Sequence, residues 1–440
     1  SDPGPGRIGP VLMAQITTWA VNVGRYSGAS LSLTDHASRT LGLSIDQQCD
    51  PGQLGTGRAT VTLDNSDGEL TPGGSGTYAN VDWLTSGLFL EATVDSVSVS
   101  VFHGVITDFA MTDDGNGNSA VTLTALDVFQ VVGRQESFTY SMTNTSTADQ
   151  LYDMTSPHLL SNATKVPTIG YPTMRTYWEE LNASTESVAH DLPTSAGKVV
   201  LGDVINNSVM PNEQTVAFPT ILDNDGTYVA NDSWVGFTVD GLARAGVYAT
   251  GDVFLFTEAD PMPTGQLPFR SLVRDFHTDL ITNAANITAL NAGTEQTYSD
   301  EDSQERYGAR TRVYQTTSTD DAQALYTAQL WVNRYSYKET FDMTAAALQV
   351  SDSMVQSRNA DVAKWRGLLD VTVGWWNTAS VSYTPTGGTS RTDQVVTVGR
   401  TIDATPADTT VTLRLRPQSV YLAFILDDTE RGVLDTNKLG

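Results

Sequence analysis

The chain has one cysteine, Cys49, in 440 residues. A lone thiol between Asp46 and Asp50 closes no internal disulfide, so a disulfide scaffold is excluded. The five histidines, His36, His103, His158, His190 and His277, show no metal-ligand spacing, which removes structural zinc. Basic side chains are also scarce, with 25 Lys and Arg against 51 Asp and Glu and a formal charge of −26. A protein that grips nucleic-acid phosphates needs the opposite balance. No apolar run approaches the ~20 residues that cross a bilayer, so no membrane insertion is expected. The opening Ser1-Asp-Pro-Gly-Pro-Gly lacks the basic n-region of a signal peptide, so synthesis and assembly from the cytosol are expected.

What is present is sheet text. The composition is rich in Thr, Ser, Val, Asp and Gly, which favours strands over a helix bundle. A chain this long calls for about two to four folded units. The clearest stretch runs from Gly57 to Pro72: Ala59, Val61 and Leu63 alternate with Arg58, Thr60 and Thr62, as the two faces of a half-buried strand require. Asn65-Ser-Asp-Gly68 then turns the chain, and Pro72 cannot continue a central ladder.

Around it, residues 1–13 read as an extended Pro/Gly arm, and 14–135 as an N-terminal β domain. Asp113-Asp-Gly-Asn-Gly-Asn118 is expected to be a hairpin tip, and Leu126–Val132 one or two helical turns. Residues 136–318 form a mixed central region, in which Val200, Val204 and Val209 have helical spacing and Asp223-Asn-Asp-Gly226 marks a turn. A helical connecting segment, 319–366, opens with Thr319-Asp-Asp-Ala322; Leu325, Ala328, Trp331 or Val332, and Tyr335 share one face, and a weaker helix is expected within Leu348–Trp365. Strand text returns over 367–425, before a tail at 426–440. Gly104-Val-Ile-Thr-Asp108 with Val121-Thr-Leu-Thr124 parallels Gly399-Arg-Thr-Ile-Asp403 with Val411-Thr-Leu-Arg414, which suggests an internal duplication.

Catalytic signals are weak. Glu179-Glu180, Asp113-Asp114, Asp320-Asp321 and Asp427-Asp428 are sequence neighbours. Neighbours on a strand face opposite ways, whereas a glycosidase sets its two carboxylates across one sugar, so these pairs read as turns and helix starts. Asp223–Gly226 lacks the calcium-loop positions of Gly and Glu. Gly73-Gly-Ser75-Gly-Thr77 lacks the second glycine of a nucleophile elbow. Tyr177 and Trp178 beside Glu179 are the best candidate for sugar stacking, and they motivate an alternative reading as a tail-associated carbohydrate-binding or glycan-hydrolysing protein. No catalytic, cofactor or metal residues are assigned, and no enzyme activity is expected.

The order of motifs carries more. Leu54–Pro72 with Phe102–Asp108 and Val121–Asp127 resembles the opening domain of minor tail proteins of long-tailed bacteriophages that infect actinobacteria. Tyr298–Arg310 followed by Asp320–Ala324, then Val396–Pro406 with Thr409–Leu415, and finally Ile425–Asp428 to Gly432–Asn437, are similar to that family's later segments in the same order. The resemblance implies a baseplate hub or tail-tip protein, mainly β with some α, in which two tail-tube-like β-barrel or sandwich domains flank a mixed middle. It implies a homotrimer whose paired barrels make a pseudo-sixfold ring in the virion. Its partners would be a tube or distal tail protein, the tape measure, and fibre or spike proteins, with the genome free to pass through the lumen. Pro72, Gly73, Gly74, Tyr78, Trp83, Trp375 and Trp376 are the suspected inter-subunit contacts; large aromatics give contact area at little entropic cost, and core packing is the commoner alternative for the three tryptophans.

Overall fold

The computed structural model describes residues 16–27, 30–50, 53–54, 57–84, 86–115, 117–127, 136–137, 199–200, 221–222, 228–229, 233–237, 243–247, 253–288, 294–315, 321–336, 345–370 and 378–417. The protein is mainly β with some α. The N-terminal part runs β1 (Thr17–Ser27), β2 (Ser30–Asp35), β3 (Thr40–Asp50), β4 (Gln53–Leu54), β5 (Arg58–Asp64), β6 (Gly87–Val94), β7 (Val97–Asp113) and β8 (Ser119–Asp127). The alternation read in the sequence sets β5: Ala59, Val61 and Leu63 are fully buried and stand opposite Ala125, Leu123 and Val121 of β8, buried likewise. Such direct cross-strand apolar pairs are the stabilising unit of an antiparallel sheet. The tip between β7 and β8 forms as expected, with Gly115 and Gly117 at positive φ and the Asp114 N–H donating to the Asn118 carbonyl.

Short antiparallel ladders follow: β9 (Glu136–Ser137) with β10 (Val199–Val200), β11 (Ile221–Leu222) with β12 (Tyr228–Val229), and β13 (Ser233–Phe237) with β14 (Ala243–Val247). The helical spacing from Val199 onward therefore fails at its start. Adjacent β-branched valines prefer extended backbone, and here they pair with Glu136 and Ser137. The rest of that stretch, the arm at 1–13, the tail at 426–440 and Val128–Val132 lie outside the described residues; Leu126 and Asp127 end β8 as strand.

The remaining elements are β15 (Phe254–Thr257), β16 (Leu267–Pro268), β17 (Ser271–Asp275), β18 (Ala284–Thr288), β19 (Glu295–Ser299), α1 (Glu301–Tyr307), β20 (Thr311–Gln315), α2 (Asp321–Tyr335), β21 (Ala345–Ser351), α3 (Asp352–Ser357), α4 (Val362–Leu369), β22 (Thr378–Tyr383), β23 (Arg391–Ala404) and β24 (Thr409–Pro417). Strands β18, β19 and β20 form a small sheet under α2. Of the predicted apolar face of α2, Ala328, Trp331 and Val332 enter a core shared with Ala285 and Ile287; Ala324 joins them, while Leu325 and Tyr335 are only half-buried. Helix α1 starts on Asp300, whose carboxylate accepts the Ser303 N–H at 3.0 Å, and ends on Gly308 at φ +76°. The weak helix expected over Leu348–Trp365 divides instead. Leu348 and Val350 bury with period two inside β21, and helices start at Ser351, which accepts the Met354 N–H at 3.4 Å, and at Asp361, which accepts the Ala363 N–H at 2.9 Å.

Among the described residues, fifteen strands share one sheet. Within it the strand order β3-β5-β8-β7-β6 is repeated as β17-β21-β24-β23-β22, antiparallel at every step in both series. Chain order is the same in both: first, second, fifth, fourth, third. Leu63, Val61 and Ala59 face Val121, Leu123 and Ala125; in the second series Val350, Leu348 and Ala346 face Val411, Leu413 and Leu415. All twelve side chains are buried. The Val121-Thr-Leu-Thr124 and Val411-Thr-Leu-Arg414 segments thus occupy one structural position. The glycine-to-aspartate segments do not. A bulge falls at Thr107 in β7 and at Val398 in β23, each six residues before the strand's last residue, Asp113 or Ala404, and this sets Asp108 against Gly399. The core is one cluster that runs through both series.

Candidate functional site

No catalytic constellation organises the described residues. Among them no group of three or more His, Cys, Asp or Glu could hold a metal ion, and no helix is long and apolar enough to cross a membrane. The feature that organises the molecule is the seam between the repeats. The second half of β23 pairs antiparallel with β3, from Gly399 opposite Gln48 to Ala404 opposite Leu43, while its first half pairs with β22. One strand edge therefore serves two partners.

The two faces of this seam differ. On the inner face Leu43, Ile45, Gln47, Arg400, Ile402 and Ala404 are all buried. Arg400 is a cation in the core, and its Nη1 donates to the Leu368 carbonyl at 2.6 Å and the Asp370 carbonyl at 3.2 Å, at the C-terminal end of α4. Those carbonyls lack intrahelical partners and carry the negative end of the helix dipole, so they compensate the buried charge. On the outer face Ser44 Oγ donates to Asp403 at 2.6 Å, Thr401 Oγ1 to Asp46 at 2.8 Å, and Arg414 Nη2 to the same Asp46 oxygen at 3.1 Å. The period-two pattern continues this face through Thr60, Thr62, Thr122, Thr124, Thr410 and Thr412. Acids on it, Asp46, Asp64, Asp108, Asp275 and Asp403, outnumber the bases Arg58, Arg414 and Arg416. The arrangement can present a hydroxyl-rich, weakly acidic wall; it offers no phosphate-gripping groove.

The loop between β5 and β6 holds most of the expected contact residues. Asn65, buried, builds it: its Oδ1 accepts the Leu70 N–H at 2.8 Å, and its Nδ2 donates to Thr71 Oγ1 and Ser119 Oγ, each at 3.1 Å. Gly68 turns at φ +72°, and Asp67 accepts from Arg39 at 2.8 Å. The Glu69 N–H, with Arg39 adding to it, holds the Asp67 carboxyl below its ordinary range. Pro72, Gly73 and Gly74 stand exposed at the tip. Tyr78 is half-buried, and Trp83 turns inward, only 4% exposed, against the rings of His36 at 5.6 Å and Phe109 at 5.7 Å. Of the expected contacts among the described residues only the loop tip is thus fully open, and Trp83 is a core side chain, covered in part by the rings of His36 and Phe109. Trp375 and Trp376, and the possible sugar site at Tyr177, Trp178, Glu179 and Glu180, lie outside the described residues. Sequence reasoning missed Arg400 and Asp352, because an isolated Arg in a strand and an Asp after one carry no local signal of burial.

No protein-family model matches the chain, and no curated protein does. Solved structures are similar in fold. The tail protein from Neisseria meningitidis MC58 superposes with a TM-score of 0.54 at 12% identity, covering 92% of this chain and 98% of that one. The 43 kDa tail protein of prophage MuSo2 from Shewanella oneidensis gives 0.49 at 10% identity over 91% and 99%. Prophage tail protein gp18 from Listeria monocytogenes EGD-e gives 0.42 at 10% identity over 90% and 94%. At these identities the likeness is one of fold, and the first structure carries it.

Proposed function

We propose that this chain is a non-enzymatic structural component of a bacteriophage tail tip, a baseplate hub or minor tail protein that forms a ring linking the tail tube to distal tip proteins. The observation that carries the reading is the duplication: one chain holds two copies of the same five-strand series, fused edge to edge through β3 and β23. A trimer of such chains presents six quasi-equivalent units, which suits continuation of a sixfold tube by closed symmetry. The fold shared with the tail protein from Neisseria meningitidis MC58 supports the assignment, and the ordered motifs at 54–72, 298–310 and 396–415 support its narrower form, in long-tailed phages of actinobacteria. The hydroxyl-rich outer face suits a lumen through which a genome passes without adhering. Pro72, Gly73 and Gly74 are an exposed loop tip within reach of an adjoining subunit. Tube or distal tail protein above and tape measure, fibre or spike proteins below are the partners of this reading.

Light scattering on the purified chain, together with gold labelling of virions, tests it. Three times the chain mass and label at the tail tip are expected. A chain that stays monomeric at high concentration, with label elsewhere, defeats the proposal.

A further inference from the structure

The two repeats differ at one edge. In the second repeat the terminal half of β23, Gly399–Ala404, has β24 on one side and β3 on the other. The equivalent half of β7, Asp108–Asp113, has β8 on one side, and among the described residues no strand pairs with its other edge. The first repeat's β3 is likewise sandwiched between β5 and β23, whereas its equivalent β17 pairs, among the described residues, with β21 alone. Exposure follows the same division. Ile402 is fully buried, yet its counterpart Met111 is 45% exposed. Gln47 is buried, yet its counterpart Phe276, the residue after β17, is 60% exposed, and Val273 on β17 itself is 52% exposed. Side chains at equivalent positions are covered where the strand partner is present and open where it is not.

We propose that β17 of one copy of this chain pairs antiparallel with the second half of β7 of a neighbouring copy, reproducing between chains the β3–β23 seam seen within the chain. The proposal rests on the ring reading above and specifies its contact. Transferring the seam's register places Asp113 opposite Leu272, Thr112 opposite Val273, Met111 opposite Arg274, Ala110 opposite Asp275, Phe109 opposite Phe276 and Asp108 opposite His277. The inner face then joins Phe109 and Met111 to Phe276, and the outer face sets an aspartate beside a histidine. The order β17-β21-β24-β23-β3-β5-β8-β7 puts the two open edges at opposite ends of the array, so the pairing runs head to tail between copies. A head-to-tail contact between unlike surfaces makes a ring when its rotation closes. An unpaired edge bearing apolar side chains is also an association hazard that natural sheets cover.

Mixing full-length chains freed of the native thiol by Cys49→Ser, one carrying Thr112→Cys and the other Val273→Cys, tests the register under mild oxidation, read on a non-reducing gel. A covalent heterodimer is expected, absent for either chain alone, and lost when Val273→Cys is replaced by Ser271→Cys or Asp275→Cys, which shift the register by two. Because a cross-link needs opposed β-carbons a few ångströms apart, the shifted partners cannot substitute. Val273→Lys and Phe276→Glu, both on exposed positions, are expected to abolish the oligomer in light scattering while leaving the far-UV circular dichroism spectrum of the folded chain unchanged. If the chain remains an oligomer of unchanged mass with these substitutions and the in-register pair does not cross-link, the strand pairing is wrong and the ring must close elsewhere. If the unsubstituted chain is itself monomeric and no pair cross-links, the ring reading falls with it.

Discussion

Asn65 and Asp352 hold the same place in the two repeats, each two residues beyond a buried side chain, Leu63 or Val350, that faces the matching valine, Val121 or Val411, of the fifth strand. Each accepts backbone N–H groups that no strand satisfies: Asn65 takes that of Leu70, and Asp352 takes those of Ile16 at 3.3 Å and Thr17 at 3.0 Å. The equivalent position thus takes up backbone N–H groups in both repeats, from the following loop in the first and from the start of β1 in the second.

Asn65→Ala strands the buried Leu70 N–H and removes two donor bonds. A loss of about 1–3 kcal/mol is expected, visible as a lower urea midpoint with an unchanged slope.

Burial raises the Asp352 carboxyl above its ordinary 3.8, against the N–H bonds of Thr17 and Ile16 that pull it down. The folded state then holds this proton more tightly than the unfolded chain. The contribution to stability is greatest at acid pH and declines as pH rises from 3.8 through the raised folded value. Asp352→Asn, which does not titrate, is expected to lack that decline when denaturation is followed as a function of pH.

His36 behaves in the opposite sense. Burial beside Tyr78 and Trp83, helped by Arg39 and opposed by Asp35, lowers its pKa from 6.5. The unfolded chain takes up the proton first, so stability is lost as pH falls below 6.5 towards the folded value. His36→Phe keeps a ring against Tyr78 and Trp83 and is expected to flatten this limb in thermal melts at a series of pH values.

A β-carbon on Gly104 would meet the Leu126 carbonyl oxygen and lie 2.7 Å from Phe102 Cζ. The carbonyl is held by the β7–β8 ladder and the ring is buried, so neither yields easily. Gly104→Ala is expected to cost about 1–3 kcal/mol by overpacking, measured by chemical denaturation.

Trp83→Ala leaves a cavity among His36, Tyr78 and Phe109 and is expected to cost about 3–5 kcal/mol. Pro72→Ser, on the exposed tip, should change stability by no more than about 0.5 kcal/mol. If the tip touches a neighbouring subunit, the same variant shifts the association midpoint in a dilution series.

The period-two faces of β5, β8 and β24 were legible because one side of each is buried, and burial is what alternation records, whereas β21 reads in part as helix. The α2 face was legible for the same reason at period 3.6. Half of the duplication was readable, at Val121–Thr124 and Val411–Arg414, where packing restricts the residues. The other half misled: the pairing with β8 and β24 sets Asp108, not Gly104, in the place of Gly399, so the apparent match is out by four residues. The β3–β23 seam left no trace in the text, since the pairing of two distant strands is decided by edges and not by either strand's pattern. Trp83 shows the same gap, because composition cannot tell a buried aromatic from an interfacial one.

The seam also has a timetable. Ser44 and Asp403, hydrogen-bonded across it, are 359 residues apart in the chain. During synthesis β3 therefore waits with one edge unpaired until nearly the whole described chain has left the ribosome, and closing so long a loop is slow. An open edge in a nascent chain invites pairing with another nascent chain on the same message. Truncation anywhere before β23 would leave that edge permanently bare, so fragments that keep only the first repeat should aggregate even though every residue of its core is present.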